Sequence, residues 1–324
     1  MRVASAPAPF NVRPLGTNSR PARTWVRFRS RGLRCVAVLA LAMTVGCAGT
    51  GQSTREQTAQ SLAHAGRLTR TSIPADGFVL TAYARIDAPG QPANVYVEGD
   101  GLAWISRAQP SSDPTPRRPV ALELAALDPA PNVFYLARPC QYADLRRAPC
   151  DRIYWTDQRY SDVVISAMNQ ALDALLAPTA ASRINLIGYS GGAAVAVLLA
   201  ARRHDVASLR TVAGNLDSEA VNRYHGVSAM PQSLNPIDAA ERLIGLPQTH
   251  FVGTADDVVP EFIAQSFARR AGGTPCARVV EVTAAAHDRG WQTQWPTLLG
   301  VPVACDANAN VRNLDANSHP ADAL

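Results

Sequence analysis

The pentapeptide Gly188-Tyr189-Ser190-Gly191-Gly192 has the pattern G-x-S-x-G, in which a serine hydroxyl is raised on a sharp turn as a nucleophile. Backbone angles at such a serine are strained, and glycines two residues before and after it let the neighbouring chain pack close. The hydroxyl is a weak nucleophile at neutral pH. It needs a neutral imidazole to take its proton and a carboxylate to orient that imidazole. The chemistry these residue types point to is acyl transfer.

The serine must be carried by a strand and a helix, and the flanking sequence supplies both. Residues 184–187 read as a compact buried strand and 193–201 as an apolar helix, so helix N–H groups and the positive end of its dipole face the serine. Further strands are predicted at 78–85, 95–98, 133–137, 209–213, 249–252 and 278–282. Helices are predicted at 120–127, 261–270 and 161–177, the last capped by Ser161 and stopped by Pro178. Strands alternating with helices at this spacing predict an α/β fold built from right-handed βαβ units, with a mainly parallel sheet covered on both faces.

With these features placed, the chain from about Phe78 to Val303 resembles the α/β-hydrolase family. The stretch Glu98-Gly99-Asp100-Gly101, following the strand at 95–98, resembles the family's H-G-x-G loop with Glu98 in place of histidine. The resemblance implies that the backbone N–H groups of Asp100 and Gly191 form an oxyanion hole. A simple Gly-Asp-Gly turn is the other reading of that stretch. Gly253-Thr254-Ala255-Asp256-Asp257-Val258-Val259-Pro260 resembles the family's G-x-x-D-x-x-V-P acid loop and assigns Asp256 as the triad acid, with Asp217 as the rival position. His287, in Ala284-Ala285-Ala286-His287-Asp288 just past the last predicted strand, takes the family's histidine position. His64, His204, His225, His250 and His319 place less well. The segment between Asp217 and Leu243 leaves room for a small cap at most, implying an open site. Trp104 and Trp291 either line an acyl or alcohol pocket or pack internally. No cofactor and no metal is implied.

Charge and cysteines bear on compartment. Eight of the 31 basic residues fall in 1–46, which hold no acidic residue. The rest carries 23 basic against 26 acidic residues, about −3, and lysine is absent. This gives no basic surface for nucleic acid. The arginine-rich start, the short apolar run 35–45 and Gly46-Cys47-Ala48 read as an export signal, and the last resembles a bacterial lipoprotein processing site with Cys47 lipidated. A plain secretory signal is the alternative. Of the six cysteines, Cys140, Cys150, Cys276 and Cys305 remain for an oxidising compartment, most simply as the disulfides Cys140–Cys150 and Cys276–Cys305. The expected organisation is an export segment 1–47, a flexible tether 48–75, a hydrolase domain 76–305 and a disordered tail 306–324. The expected function is a carboxylesterase-like serine hydrolase acting on a small-molecule ester. It would be held to the membrane by a lipid anchor in the cell envelope, facing the periplasm, or else secreted. A serine peptidase, or a non-catalytic envelope binding protein on the same scaffold, are the competing readings.

Overall fold

The computed structural model describes residues 54–147, 149–273 and 275–305. The expected export segment 1–47 with Cys47, and the expected tail 306–324, lie outside the described residues. Strands are Thr69–Ala75 (β1), Phe78–Ile86 (β2), Ala93–Val97 (β3), Trp104–Ser106 (β4), Gln109–Pro110 (β5), Asn132–Leu136 (β6), Ile184–Tyr189 (β7), Val206–Val212 (β8), Gln248–Gly253 (β9) and Ala277–Val282 (β10). Helices are Thr54–Ala65 (α1), Val120–Ala126 (α2), Asp162–Leu176 (α3), Gly191–Ala200 (α4), Ser218–His225 (α5), Glu261–Arg270 (α6) and Trp291–Leu299 (α7).

Eight strands form one sheet in the order β1-β2-β6-β3-β7-β8-β9-β10, while β4 and β5 make a separate hairpin. The β1–β2 and β2–β6 pairs are antiparallel, and every pair from β6 to β10 is parallel. This is the mainly parallel α/β sheet expected from the alternation of elements. Strand side chains alternate between two apolar clusters, so the sheet is buried on both faces. Val95, Val97, Phe134, Leu136 and Leu186 enter the cluster under α3, α4 and α6, whereas Tyr96, Val133, Tyr135 and Ile187 enter the one under α1, α2 and α7. Every residue of α4 is buried, as befits a helix that is apolar all round. Ser161 caps α3 as expected, its hydroxyl accepting from the Val164 N–H.

Residues 54–75, expected within the flexible tether, instead form α1 and β1. The helix fully buries only Ala59 and Ala63, one turn apart, with Leu62 partly buried beside them on a mostly polar sequence. The strand lies at the sheet edge, buries only Ile73 and Ala75, and contains Pro74. Edge strands tolerate proline and polar side chains, so apolar periodicity gave no signal there. Both expected disulfides, Cys140–Cys150 and Cys276–Cys305, are present.

In the sheet, β3 lies between β6 and β7, so the connection from β3 runs to one side and the connection from β6 crosses to the other. Loops at the carboxyl ends of β3 and β7 diverge there, and a crevice opens at such a switch point. The loops after β9 and β10 open on the same edge.

Candidate active site

Ser190 is the first element of the site, held at φ 52° and ψ −121° between β7 and α4. A left-handed φ is unfavourable for a residue with a side chain. Here it is enforced from outside the turn: the Ser190 N–H donates to the Val212 carbonyl at 2.9 Å, and the Ser190 carbonyl accepts from Asn215 N–H at 3.0 Å. The flanking glycines are required by close approach. A Cβ on Gly188 would lie 2.5 Å from the Ala193 Cα, and one on Gly192 would overlap the Val97 carbonyl at the end of β3.

His287 reaches Ser190 with its Nε2 2.9 Å from Oγ. Its Nδ1 lies 3.0 Å from Asp256 Oδ2 and 3.2 Å from Oδ1. A carboxylate only accepts, so the proton sits on Nδ1 and Nε2 is left as the acceptor that faces the serine. Asp256 is almost fully buried, with 1% of its side chain exposed against 17% for His287. Its Oδ1 also accepts from the Val258 and Val259 N–H groups, both at 2.9 Å. The two loops are laced together: Thr254 N–H donates to the Val282 carbonyl at 3.1 Å, Ala255 N–H to the Ala285 carbonyl at 3.0 Å, and Ala284 N–H to Thr254 Oγ1 at 2.9 Å. Acid and imidazole are thereby fixed relative to each other before any substrate arrives.

The sequence-predicted rivals fall elsewhere. Asp217 caps α5, with Oδ1 accepting from Ala220 N–H and from the Asn235 amide. Asp257 lines the cleft but does not meet the imidazole. His250 is buried against Thr211, its pKa lowered to about 3 by burial. His225 contacts the Val258 carbonyl at 2.7 Å.

On the other side of Ser190 lies the loop 98–101. Asp100 and Gly191 are in contact, since a Cβ on Gly191 would overlap the Asp100 carboxylate. Neither residue's backbone N–H donates to another group among the described residues. The Asp100 carboxylate points away from the reaction, into a buried charge cluster: Arg138 Nη1 at 3.0 Å, Arg159 Nε at 3.4 Å and the Tyr160 hydroxyl at 2.8 Å. Arg138 Nη1 also donates to the Gly191 carbonyl at 3.4 Å, and its Nη2 donates to the Arg159 carbonyl. One guanidinium therefore ties the loop after β3 to the turn after β7. Gln141 adds a second strut, its amide donating to the Gly99 carbonyl at 3.0 Å. Glu98, where the resembled motif has histidine, is buried at 1% exposure, and Oε1 accepts from Gly99 N–H at 2.9 Å. Burial raises its carboxyl to about 7, with N–H donors from Gly99 and Ala121 pulling the other way.

Arg138 and Tyr160 were not read from the sequence as members of the site. Trp291, one of two tryptophans weighed as pocket lining, is fully buried. Its Nε1 donates to the Ala286 carbonyl at 2.7 Å and to that of His287 at 3.0 Å, so it pins the histidine loop from behind. Tyr189 Oη donates to the same His287 carbonyl at 3.1 Å. Trp104, in contrast, is 41% exposed. The only advance sign of Arg138 was a cation directly after an apolar strand.

The crevice over Ser190 has a volume of about 470 Å³ and is lined by charged side chains, Arg117, Arg118, Asp257, Asp288 and Arg289, together with apolar ones such as Leu102, Pro116 and Val258. Taken together, a serine, an imidazole and a carboxylate in contact, beside two undonated amides, can carry out nucleophilic acyl transfer.

No family model and no curated protein matches this sequence. Solved structures do. The Pyrococcus furiosus esterase Pf2001 is similar with a TM-score of 0.51 at 16% identity, over 72% of this chain and 88% of that one. Est1E from Butyrivibrio proteoclasticus is similar with a TM-score of 0.50 at 12% identity, over 72% of this chain and 98% of that one. The sheet order, the placement of the site at its carboxyl edge and these likenesses lead to one conclusion: the chain has the α/β-hydrolase fold.

Proposed function

We propose that the protein is a serine hydrolase that cleaves carboxylic esters through an acyl-enzyme. The observation that carries this reading is the unbroken relay from Ser190 Oγ to His287 Nε2 at 2.9 Å and from Nδ1 to Asp256 at 3.0 Å. Ser190 Oγ attacks the ester carbonyl as His287 takes its proton, and Asp256 stabilises the imidazolium. The carbonyl oxygen becomes an oxyanion that the Asp100 and Gly191 N–H groups receive. When the intermediate collapses, His287 returns the proton to the departing alcohol. Water, activated by the same imidazole, then releases the acid. The esterase likenesses agree with this reading.

The test is labelling with a fluorophosphonate probe. A covalent adduct on the wild type and none on Ser190→Ala is expected. An adduct that survives the substitution, or no adduct on the wild type, overturns the reading in favour of a binding protein on a hydrolase scaffold.

For location we propose the cell envelope, with Cys47 lipidated. Two disulfides support an oxidising compartment. Palmitate labelling of the expressed full chain that is lost in Cys47→Ser is the expected result; label retained in that variant would refute the anchor.

A further inference from the structure

A second cavity, of about 580 Å³, adjoins the serine crevice and is unlike it in character. Its walls come from β4 and Arg107, from residues 156–159, from the end of α5 and the residues that follow it to 231, and from Val258; Trp104, Val227, Ala229, Met230, Pro231 and Val258 are its apolar members. Its volume lies within the range of small-molecule sites. Large exposed apolar side chains concentrate on these segments: Trp104, Ile105, Tyr224, Val227 and Val258 are each at least 40% exposed. A cluster of this kind on a soluble surface marks a binding site.

Three connections attach the cavity to the chemistry. Val258 lines both it and the serine crevice, and its N–H donates to the triad acid Asp256. Trp104 stands two residues after Leu102, which lines the serine crevice. Arg159 borders the cavity while its Nε lies 3.4 Å from Asp100 in the oxyanion loop. A substrate with its carbonyl over Ser190 can therefore extend past Val258 into apolar surroundings. The serine crevice itself is the less apolar of the two, with Arg117, Arg118, Asp257, Asp288 and Arg289 among its lining residues.

We propose that this cavity binds the non-reacting hydrocarbon portion of the ester, so that the enzyme selects esters bearing an extended apolar group over acetate-sized ones. The proposal rests on the hydrolase reading above and adds its substrate class. Burying hydrocarbon favours binding by up to about fourfold for each methylene, so kcat/KM is expected to climb along the series nitrophenyl acetate, butyrate, hexanoate and octanoate, and then level off. Ala229 is exposed and lines the cavity, so Ala229→Trp fills the space without disturbing the core. It is expected to reduce the octanoate-to-acetate ratio of kcat/KM by about tenfold or more, and Val227→Asp to reduce it in the same direction by making the wall polar. A parallel series of acetate esters with lengthening alcohols distinguishes the two sides of the ester: the series flattened by Ala229→Trp names the group the cavity holds.

The proposal is overturned if neither series climbs, or if both variants leave the ratios unchanged. Unchanged ratios with weakened binding of Val227→Asp to phosphatidylcholine vesicles would identify the patch as a lipid-docking surface instead. Failure of this inference is separable from failure of the hydrolase reading, because flat series on a protein whose Ser190 still reacts with fluorophosphonate reject the cavity alone.

Discussion

Ser190 stands between two flanks made of different material. On one flank the proposed working atoms belong to side chains, the imidazole of His287 and the carboxylate of Asp256, and a single substitution deletes them. On the other, the proposed working atoms are the backbone N–H groups of Asp100 and Gly191, which no substitution other than proline deletes. Any other change can only move them. What holds them is the buried cluster behind the loop, with Arg138 bonded both to the Asp100 carboxylate and to the Gly191 carbonyl. One flank is therefore vulnerable to loss of a group and the other to loss of position, and the two should fail differently.

The largest effects belong to the side-chain flank. Asp256→Asn keeps the shape of the acid but no longer enforces the tautomer that leaves Nε2 free, and His287→Ala removes the base. Each is expected to lower kcat on a nitrophenyl ester by about 10⁴-fold. A loss below about tenfold for Asp256→Asn would move the acid role away from that residue.

The next effect tests position. Arg138→Met removes the guanidinium while leaving both amides in the chain, and a displaced oxyanion donor lowers kcat by about 10²-fold. The loss should appear in kcat far more than in KM, because the amides act on charge that develops only in the transition state. Arg138→Lys, which keeps the charge and loses the fork, should fall between Met and wild type. If KM rises and kcat holds, Arg138 supports the substrate site rather than the oxyanion loop.

The two disulfides sharpen the contrast. Cys140–Cys150 closes the segment that follows Arg138 and carries Gln141, next to the oxyanion loop. Cys276–Cys305 sits at the amino end of β10, away from the carboxyl edge where the site lies. Loop-closure entropy gives the shorter bridge about 3 kcal/mol and the longer about 4 kcal/mol. Paired cysteine-to-serine variants should therefore rank oppositely on two measurements. Loss of the longer bridge lowers stability to urea more, and loss of the shorter one lowers kcat more, severalfold. The same ranking in both measurements would mean that the 140–150 segment does not position the loop.

The same difference of material explains what could be read from the sequence. Ser190, Asp256 and His287 were legible because each has its own local pattern at a strand end, and the structure brings the three together. The sheet was legible because its central strands are apolar on both faces. Arg138 and Tyr160 were not, because they act through contacts across 38 and 60 residues of chain, and nothing local marks a buried arginine as the partner of a distant aspartate. α1 and β1 were missed for a related reason: two small alanines and an edge strand bury too little to impose a pattern on their own sequence.

Glu98 probes the amide flank most gently, and its expected effect on turnover is the smallest. It sits two residues before Asp100 and accepts from Gly99 N–H, while burial lifts its carboxyl from an ordinary 4.5 to about 7. A raised acid pKa means that between those values the folded state holds a proton the unfolded chain has released. The stability linked to Glu98 is thus full below about pH 4.5 and lost as pH rises through 7. Its contribution should drop on the order of 3 kcal/mol between pH 4 and 8. Glu98→Gln keeps an oxygen for the Gly99 N–H and does not titrate, so urea denaturation across that range should lose this component of the slope, and the variant should be the more stable protein at pH 8. Identical slopes in the two proteins would mean that the buried carboxyl is not the titrating group, and that the loop carrying the Asp100 amide is insensitive to charge beneath it.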